Sequence, residues 1–530
     1  LIELKSRLKH TWDVFFSRHG SLNEVQKRVI PLVLEGKSVV VCAPTASGKT
    51  EAVFAPIAET LYDERHIERL GVLYIAPTRA LVNDMYERIR IPLSSLSYKV
   101  GIRTGDKKAG ESTSHFLLTT PESLDSAICR LNSSFFEELK FVVLDELHLL
   151  DCTYRGDQLR ILLKRLEGKL KSGKVCYAIL SATLNDPWKT ASKYISDFEV
   201  VTIHGKPKEV FYEILVAKLE DGLKQISNTF VEKGIFKALF FCNSRKRTEE
   251  VAQQLKRFLP ADSIGVHHSS LSKKERGEVE KAMRDLRRFY CVSTSSLEVG
   301  IDIGSIDAVV LIDPPPTVSS LIQRIGRGNR RTNKVLAFGL CEHQEEEPLF
   351  REMFELAKRG VLEKKDCSPD LSVGIQQIFS LLFEKKRCVE DHEILSLLAI
   401  LGCDLQSFRT IMNHLCSLGY VESCGGFGFR ASEKLMNMGI RGVIHSNIPD
   451  SDEFEVVDAS SSKTIGKVVV DPYVVDSFVL AGKTWRVLKI DVNKRSLIVK
   501  EESVFSTADE KIFGKRSSLG RFSSLLPVVS

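Results

Sequence analysis

Several things are missing from this sequence. No apolar stretch approaches the about 20 residues that a membrane span needs, so no membrane partner is expected. The 12 cysteines include no C-x-x-C pair and no Cys/His spacing typical of zinc. Most lie in apolar runs, as Cys42 and Cys242 do, and read as reduced, buried thiols of a reducing, intracellular compartment. A large excess of one charge sign is missing too. A net +6 over 530 residues admits a polyanionic partner without demanding one. What remains is an ordinary globular composition, 43% hydrophobic. At roughly 100–200 residues per domain, this length predicts three to five domains, each able to bury a core.

The chain falls into blocks. Ser38–Cys42, Gly71–Ile75, Phe116–Thr119, Phe141–Leu144 and Tyr177–Leu180 read as buried strands, alternating with amphipathic stretches. That alternation predicts a parallel sheet covered by helices on both faces. The pattern restarts after about Gly205, with strands at Ala238–Phe241, Tyr290–Ser293 and Ala308–Leu311. From Cys367 the texture becomes helical. Val373, Ile375, Ile378, Leu381 and Leu382 form one apolar face, Ile394, Leu397, Leu398 and Leu401 a second, and Leu405 to Leu418 a third. Gly419 ends the last helix, and a hairpin around Gly425-Gly426 follows. Three helices and a hairpin predict a winged helix, which either contacts nucleic acid or braces its neighbour. From Phe454 the chain is β-rich, with strands at Val468–Val470, Phe478–Leu480, Trp485–Ile490 and Leu497–Lys500. Lysines and arginines surround Trp485 there. They read either as a solvated face or as a nucleic-acid surface with a stacking indole.

The fold expected is therefore α/β, with two tandem, similar parallel-sheet lobes (RecA-like, by the resemblance given below), then a winged helix and a small β-barrel-like domain. The predicted domains are 1–205, 206–365, 366–440 and 441–530.

Ala43-Pro44-Thr45-Ala46-Ser47-Gly48-Lys49-Thr50 follows a buried strand and opens a helix, the setting a phosphate loop requires. Backbone N–H groups of such a loop cradle phosphate oxygens. Lys49 would reach the β- and γ-phosphates of ATP, and the Thr50 hydroxyl would ligate Mg²⁺. Ala43 stands where the strict pattern has Gly, so the loop alone is only moderately specific. The strand Val142–Leu144 then ends in Asp145-Glu146-Leu147-His148. Acids at the carboxyl end of a parallel strand sit where α/β ligands bind. Asp145 would hold Mg²⁺, and Glu146 would take the proton of the attacking water. Gln323 to Arg331 supplies alternate arginines near glycines, suited to fingers that meet charge developing in the transition state. Such a finger is worth about 10³–10⁵ in rate.

These residues resemble the superfamily 2 DExH helicases. Gln26 is similar to that family's adenine-reading motif, and Ala76–Leu81, Thr104–Asp106 and Thr119–Glu122 to its strand-contacting motifs. Asp145–His148, Ser181–Thr183, Phe241–Arg245, Ser293–Asp302 and Gln323–Arg330 complete the series in order. Within the superfamily the chain looks most like the Lhr (large helicase-related) group, whose wording is similar at His267–Ser272, Ser295–Asp302 and Gly482–Leu488. His267 and His268 read as part of that loop motif, not as a metal pair.

The resemblance implies finger roles for Arg327 and Arg330, contact of Gly300 and Asp302 with the ribose side of ATP, and Gln323 near the γ-phosphate. It implies that Arg79, Thr120, Ser244 and Thr294 hold the phosphates of one strand. His148 and Ser181 to Thr183 would couple hydrolysis to grip. Backbone contacts carry no sequence information, so binding should be sequence-tolerant and salt-sensitive. Asn329 replaces the family's usual Gly and leaves the aim of Arg330 open, while Ala46 for Gly is read as harmless.

The activity implied is 3′-to-5′ translocation on single-stranded DNA with displacement of the paired strand from a DNA duplex or an RNA–DNA hybrid. The implied setting is the prokaryotic cytoplasm at the nucleoid, with the chain acting as a monomer. The interval from Asp302 to Gln323 contains Pro314-Pro315-Pro316 and is too short for a long strand-splitting hairpin. Separation is therefore expected to rest on a short wedge or on the accessory domains. Two alternatives stay open: an RNA helicase or remodelling ATPase, since phosphate contacts do not read the sugar, and a nucleotide-switched clamp that does not unwind.

Overall fold

The structure is a computed structural model. It describes residues 2–17, 21–44, 47–66, 68–171, 173–182, 184–203, 209–298, 303–328, 334–362, 367–449, 453–469, 477–492, 494–502 and 520–527.

The first lobe holds β1 (Val39–Cys42), β2 (Val72–Ile75), β3 (Val100–Arg103), β4 (Lys108–Ala109), β5 (Phe116–Thr119), β6 (Phe141–Asp145), β7 (Cys176–Ser181) and β8 (Glu199–Thr202). They form one sheet in the order β4-β3-β5-β2-β6-β7-β1-β8. All pairings are parallel except β3 with β4. β1, β2, β5 and β6 are buried along their whole length, which explains their uninterrupted apolar runs. The second lobe holds β9 (Glu209–Val216), β10 (Lys237–Cys242), β11 (Ile264–His267), β12 (Phe289–Ser293), β13 (Ala308–Ile312) and β14 (Lys334–Cys341). It is a parallel sheet in the order β11-β12-β10-β13-β14-β9. Between Ile303 and Gln323 lie only β13 and the start of the helix Val318–Ile325, with no hairpin.

Helices Leu371–Lys385, Asp391–Leu398 and Leu405–Ser417 follow, then the antiparallel pair β15 (Val421–Ser423) and β16 (Phe429–Ala431), then a helix Glu433–Ile440 that the sequence reading lacks. The final sheet has five strands, β17 (Phe454–Asp458), β18 (Thr464–Val468), β19 (Ser477–Leu480), β20 (Lys483–Asp491) and β21 (Ser496–Glu502), in the order β18-β17-β21-β20-β19.

Chain order and packing order differ. One compact unit comprises Leu1–Gly205, Lys364–Asp450 and Ser517–Ser530; the other comprises Lys206–Glu363 and Ser451–Arg516. In the first unit the helical segment docks on lobe 1, with Ile161 joining its apolar core and Phe522 packing from the chain's end. In the second unit, lobe 2 and the five-stranded sheet share one core, from Leu223, Val251 and Val266 to Phe478, Trp485 and Val499.

Two expectations need correction. Cys152 and Cys367 are paired, with Cα atoms 4.8 Å apart, as are Cys388 and Cys424 at 6.4 Å, so not all cysteines are free thiols. Long-range pairs of this kind leave no local spacing to read. Cys42 and Cys242 are free and buried as expected. Trp485 is a core residue, 4% exposed, with its indole N–H donating to the Leu480 carbonyl at 2.8 Å. It is therefore no stacking platform, and the lysines around it cover a packed core. Among the described residues, no single helix is long and apolar enough to cross a membrane.

Candidate nucleotide site and strand-contact motifs

β1 runs into Ala43 and Pro44, and Ser47-Gly48 lead into the helix Lys49–Thr60. Thr45 and Ala46 lie outside the described residues. Gly48 caps this helix at φ +77, a left-handed backbone that favours glycine. A Cβ there would fall 2.6 Å from Gln26 Nε2 and 2.7 Å from Asn23 Nδ2. Both amides are held in place. Asn23 and Gln26 form a capping box at the start of the helix Glu24–Leu34, and the Asn23 amide also donates to the Ser47 carbonyl at 2.9 Å. The predicted adenine residue is thus seated against the phosphate loop.

Gly48→Ala should raise the ATP concentration for half-maximal hydrolysis by about tenfold or more, through a left-handed backbone penalty of about 1–2 kcal/mol plus displacement of these amides. Steady-state hydrolysis over a range of ATP concentrations checks this. An unchanged value would mean that the loop tolerates a side chain.

Lys49 is nearly buried and donates to the carbonyls of Ala43 and, at 2.9 Å, Pro44. Burial lowers its pKa, and the nearby charges of Glu146 and Asp145 oppose that shift. The phosphate-loop lysine and the acid pair therefore share one site. Asp145 ends β6, where Tyr74 of β2 donates its hydroxyl to Oδ2 at 2.6 Å and the Glu146 N–H donates to Oδ1 at 2.9 Å. Burial first, and the Glu146 charge second, push the Asp145 carboxyl up to about 6, against the pull of Tyr74 and Lys49. Glu146 adopts φ +48. Its Oε2 lies 3.4 Å from His148 Nδ1, which bonds Ser181 Oγ at 2.9 Å. Glu146, His148 and Ser181 form one contiguous chain, and Thr183 lies outside the described residues.

Thr50, half-buried in the first turn of the helix, and Asp145 offer the hard oxygen donors that Mg²⁺ prefers. A carboxylate strained by burial beside a second one is also the kind of group that a cation relieves. The residues fit that ion.

Three of the predicted strand contacts, Arg79 and Thr120 in lobe 1 and Ser244 in lobe 2, lie at helix N-termini, where N–H groups favour phosphate. Thr120 caps the helix Pro121–Arg130, and Ser244 caps the helix Arg245–Leu255. Arg79 opens the helix Arg79–Ser95 and is ion-paired with Asp106, which joins two motifs far apart in sequence. Thr294 lies just beyond β12. In lobe 2, Gln323 is half-buried near the end of its helix. Arg327 is buried, and its guanidinium donates to the Glu298 carbonyl at 2.7 Å. Arg324 is fully buried, bonded to Glu298 Oε1 at 2.7 Å and to Asn243 Oδ1 at 3.0 Å. Both described arginines of this motif are thus held on Glu298, and Arg324 also ties in Asn243. Gly300, Asp302 and Arg330 lie outside the described residues. Sequence reasoning missed Tyr74, Asn23 and Arg324 as site supports. Tyr74 looks like any core aromatic in an apolar strand.

This phosphate loop and acid pair on a parallel sheet, followed by a second parallel lobe with an arginine motif, define a class of ATP-hydrolysing nucleic-acid enzymes. The DEAD/DEAH box helicase family matches residues 23–191, and the helicase conserved C-terminal domain matches residues 218–332. Together these two helicase models span both lobes, and the chain is similar to superfamily 2 helicases of the Lhr group. ATP-dependent helicase Lhr-Core of Methanocaldococcus jannaschii is 30% identical over 537 residues, covering 89% of this chain and 61% of the relative. The chain thus spans less than two thirds of that relative's length. Among solved structures, Mycobacterium smegmatis helicase Lhr bound to ssDNA and AMP-PNP has a TM-score of 0.72 at 23% identity, over 83% of this chain and 62% of that one. The DUF1998 helicase MrfA bound to DNA has a TM-score of 0.73 at 20% identity, over 94% of this chain and 69% of that one.

Proposed function

We propose that this chain is an ATP-driven nucleic-acid motor, a helicase that moves 3′ to 5′ on single-stranded DNA and displaces the paired strand of a DNA duplex or an RNA–DNA hybrid. The observation that carries this reading is that Lys49, which opens the helix after the phosphate loop, and the acid pair Asp145 and Glu146 lie close enough to feel one another's charge. Two carboxylates and one lysine on a parallel sheet suit phosphoryl transfer to water. The DNA-bound states of the Lhr and MrfA structures favour DNA as the track.

In this reading Gln26 contacts adenine, and the backbone from Ala43 through Thr45, Ala46, Ser47 and Gly48 cradles the phosphates. Lys49 steadies the β- and γ-phosphates. Mg²⁺, when bound through Thr50 and Asp145, neutralises phosphate charge. Glu146 takes the proton of the attacking water as its oxygen bonds the γ-phosphorus and the bond to the bridging oxygen of ADP breaks. Gln323, Arg327 and Arg330 meet the charge that develops on the γ-phosphoryl group, while Gly300 and Asp302 contact the ribose side. His148, Ser181 and Thr183 pass the state of Glu146 to the strand contacts Arg79, Thr120, Ser244 and Thr294. The helical segment serves as a winged helix bracing lobe 1; of the four predicted domains at 1–205, 206–365, 366–440 and 441–530, the last gives up its two ends, 441–450 and 517–530, to the first unit, and the chain works as a monomer.

The test is ATP hydrolysis without nucleic acid, with single-stranded DNA and with single-stranded RNA, beside Lys49→Ala. Stimulation by DNA of about tenfold or more, the size of a few kcal/mol of induced lobe closure, is expected and should vanish in the variant. Stronger stimulation by RNA would replace the DNA track with an RNA one. No stimulation by either would favour a clamp over a motor.

A further inference from the structure

Two stretches similar to the Lhr group, His267–Ser272 and Gly482–Leu488, take no part in the nucleotide site, yet they meet in the second unit. Their meeting point is Glu249 on the helix Arg245–Leu255, a carboxylate only 3% exposed. Its Oε1 accepts from His268 Nε2 at 2.9 Å and from the Ala481 N–H at 2.7 Å. Its Oε2 accepts from the Gly482 N–H at 2.6 Å. Ala481 and Gly482 both have positive φ, +58 and +72. Successive N–H groups in such a turn form a concavity for an anion, and here the anion is a side chain of lobe 2. Lys256 reinforces the turn by donating to the Gly482 carbonyl.

The other side of the same loop backs the predicted strand contact. The His267 carbonyl accepts from Ser293 Oγ at 3.0 Å, from Ser296 Oγ at 3.1 Å and from the Thr294 N–H at 3.3 Å. The His267 ring bonds Ser296 Oγ at 2.8 Å and Glu280 at 3.1 Å. Further along, the Ser270 carbonyl accepts from the Lys467 N–H at 2.6 Å, and the Ser272 N–H donates to the Ile465 carbonyl at 2.7 Å. The loop is therefore bonded on one side to Ser293–Ser296 and on the other to the C-terminal sheet.

We propose that Glu249 is a positioning residue for strand binding. With His268 it fixes the His267–Ser272 loop between the C-terminal sheet and Thr294–Ser296, so that the sheet forms part of the grip on the strand. This rests on the strand role proposed for Thr294. Glu249 touches neither nucleotide nor strand in this arrangement and acts only through the loop.

The experiment compares Glu249→Gln and His268→Gln with the wild-type chain. Glu249→Gln would set an amide N–H against backbone N–H donors, while His268→Gln leaves the turn on the carboxylate and is the milder change. In Glu249→Gln, amide exchange at Ala481 and Gly482 and also at Thr294–Ser296 should accelerate about tenfold or more without nucleic acid, the loss expected for hydrogen bonds to a charged group. The DNA concentration for half-maximal stimulation should rise by a similar factor, with unstimulated hydrolysis and the rate at saturating DNA within about twofold of wild type, the pattern of lost binding. His268→Gln should move the same readouts in the same direction and less far. Faster exchange at Ala481 and Gly482 with none at Thr294–Ser296 would overturn the proposal. So would an equal fall in stimulated and unstimulated rates with unchanged half-saturation, the signature of reduced folding alone. If DNA fails to stimulate the wild type, the motor reading falls, while the exchange at Thr294–Ser296 still decides whether Glu249 holds the loop.

Discussion

Glu146→Gln should lower ATP turnover by about 10²–10⁴-fold, the usual contribution of a positioned general base, and leave nucleotide binding in place. The substitution keeps the size of the side chain, so the turn after β6, with Glu146 at φ +48 and its N–H on Asp145, should persist. What is lost is an acceptor for the water proton. Lys49, Asp145 and the capping pair Asn23 and Gln26, which hold the loop, are untouched. Lys49→Ala should differ in kind, because it removes the cation proposed to meet the phosphates and so should weaken binding as well. A fluorescent ATP analogue and single-turnover hydrolysis separate the two effects. A Glu146→Gln variant hydrolysing within about threefold of wild type would give the base role to another group. The 3.4 Å approach of His148 to Glu146, and its bond to Ser181, add a second expectation. Ser181→Ala should leave unstimulated hydrolysis nearly intact and blunt the response to the strand.

The site was legible in the sequence to the extent that its chemistry demands fixed local spacing. The phosphate loop and the acid pair each need neighbouring residues at the end of a strand, so both stand out. Tyr74 and Glu249 act on partners far away in the chain, and nothing local marks them, whereas the capping-box spacing of Asn23 and Gln26 is a local signal. The fold follows the same logic. β5, β6, β10 and β13 are buried nearly throughout and read as continuous apolar runs. β3 escaped because Gly101 and Arg103 interrupt it. Arg103 is buried, yet bonded to the Ser123 carbonyl and to Glu111. β9 escaped because, at the sheet edge, its residues are half-exposed or exposed. The helix Leu371–Lys385 was found by its apolar face, but that face is only part of its burial. Gln376, Gln377 and Ser380 are as buried as Ile375 and Phe379. Periodicity finds a helix; it does not say that the polar face is buried too.

That polar face explains why Asp125→Ala should destabilise the first unit by about 3–5 kcal/mol, the cost of breaking a buried charge network from one side. Asp125 sits in the helix Pro121–Arg130 and is fully buried. It accepts from Ser380 Oγ at 2.6 Å, His445 Nδ1 at 2.8 Å, Gln377 Nε2 at 2.5 Å and Gln376 Nε2 at 3.1 Å, with Arg165 at 3.8 Å. Alanine would leave these donors facing one another in a dry interior. Burial alone would raise the Asp125 pKa, but the hydrogen bond and charge of His445, with Arg165 and Ser380, bring it below the usual carboxylate value. A depressed folded pKa means that its stabilisation is complete above the ordinary value of about 3.9 and fades as pH falls through the lower folded value. Asp125→Asn should therefore flatten this acid limb, at a smaller loss near neutrality than alanine. Urea unfolding of the three proteins, followed by amide exchange in Leu371–Lys385, measures both effects. A loss below about 1 kcal/mol for alanine would show that apolar packing alone holds the helical segment. The consequence reaches the strand contact proposed at Thr120, because that residue caps the helix that carries Asp125. If the buried network anchors that helix, Asp125→Asn should also weaken the DNA response without changing unstimulated hydrolysis, as loosening the Thr120 turn requires.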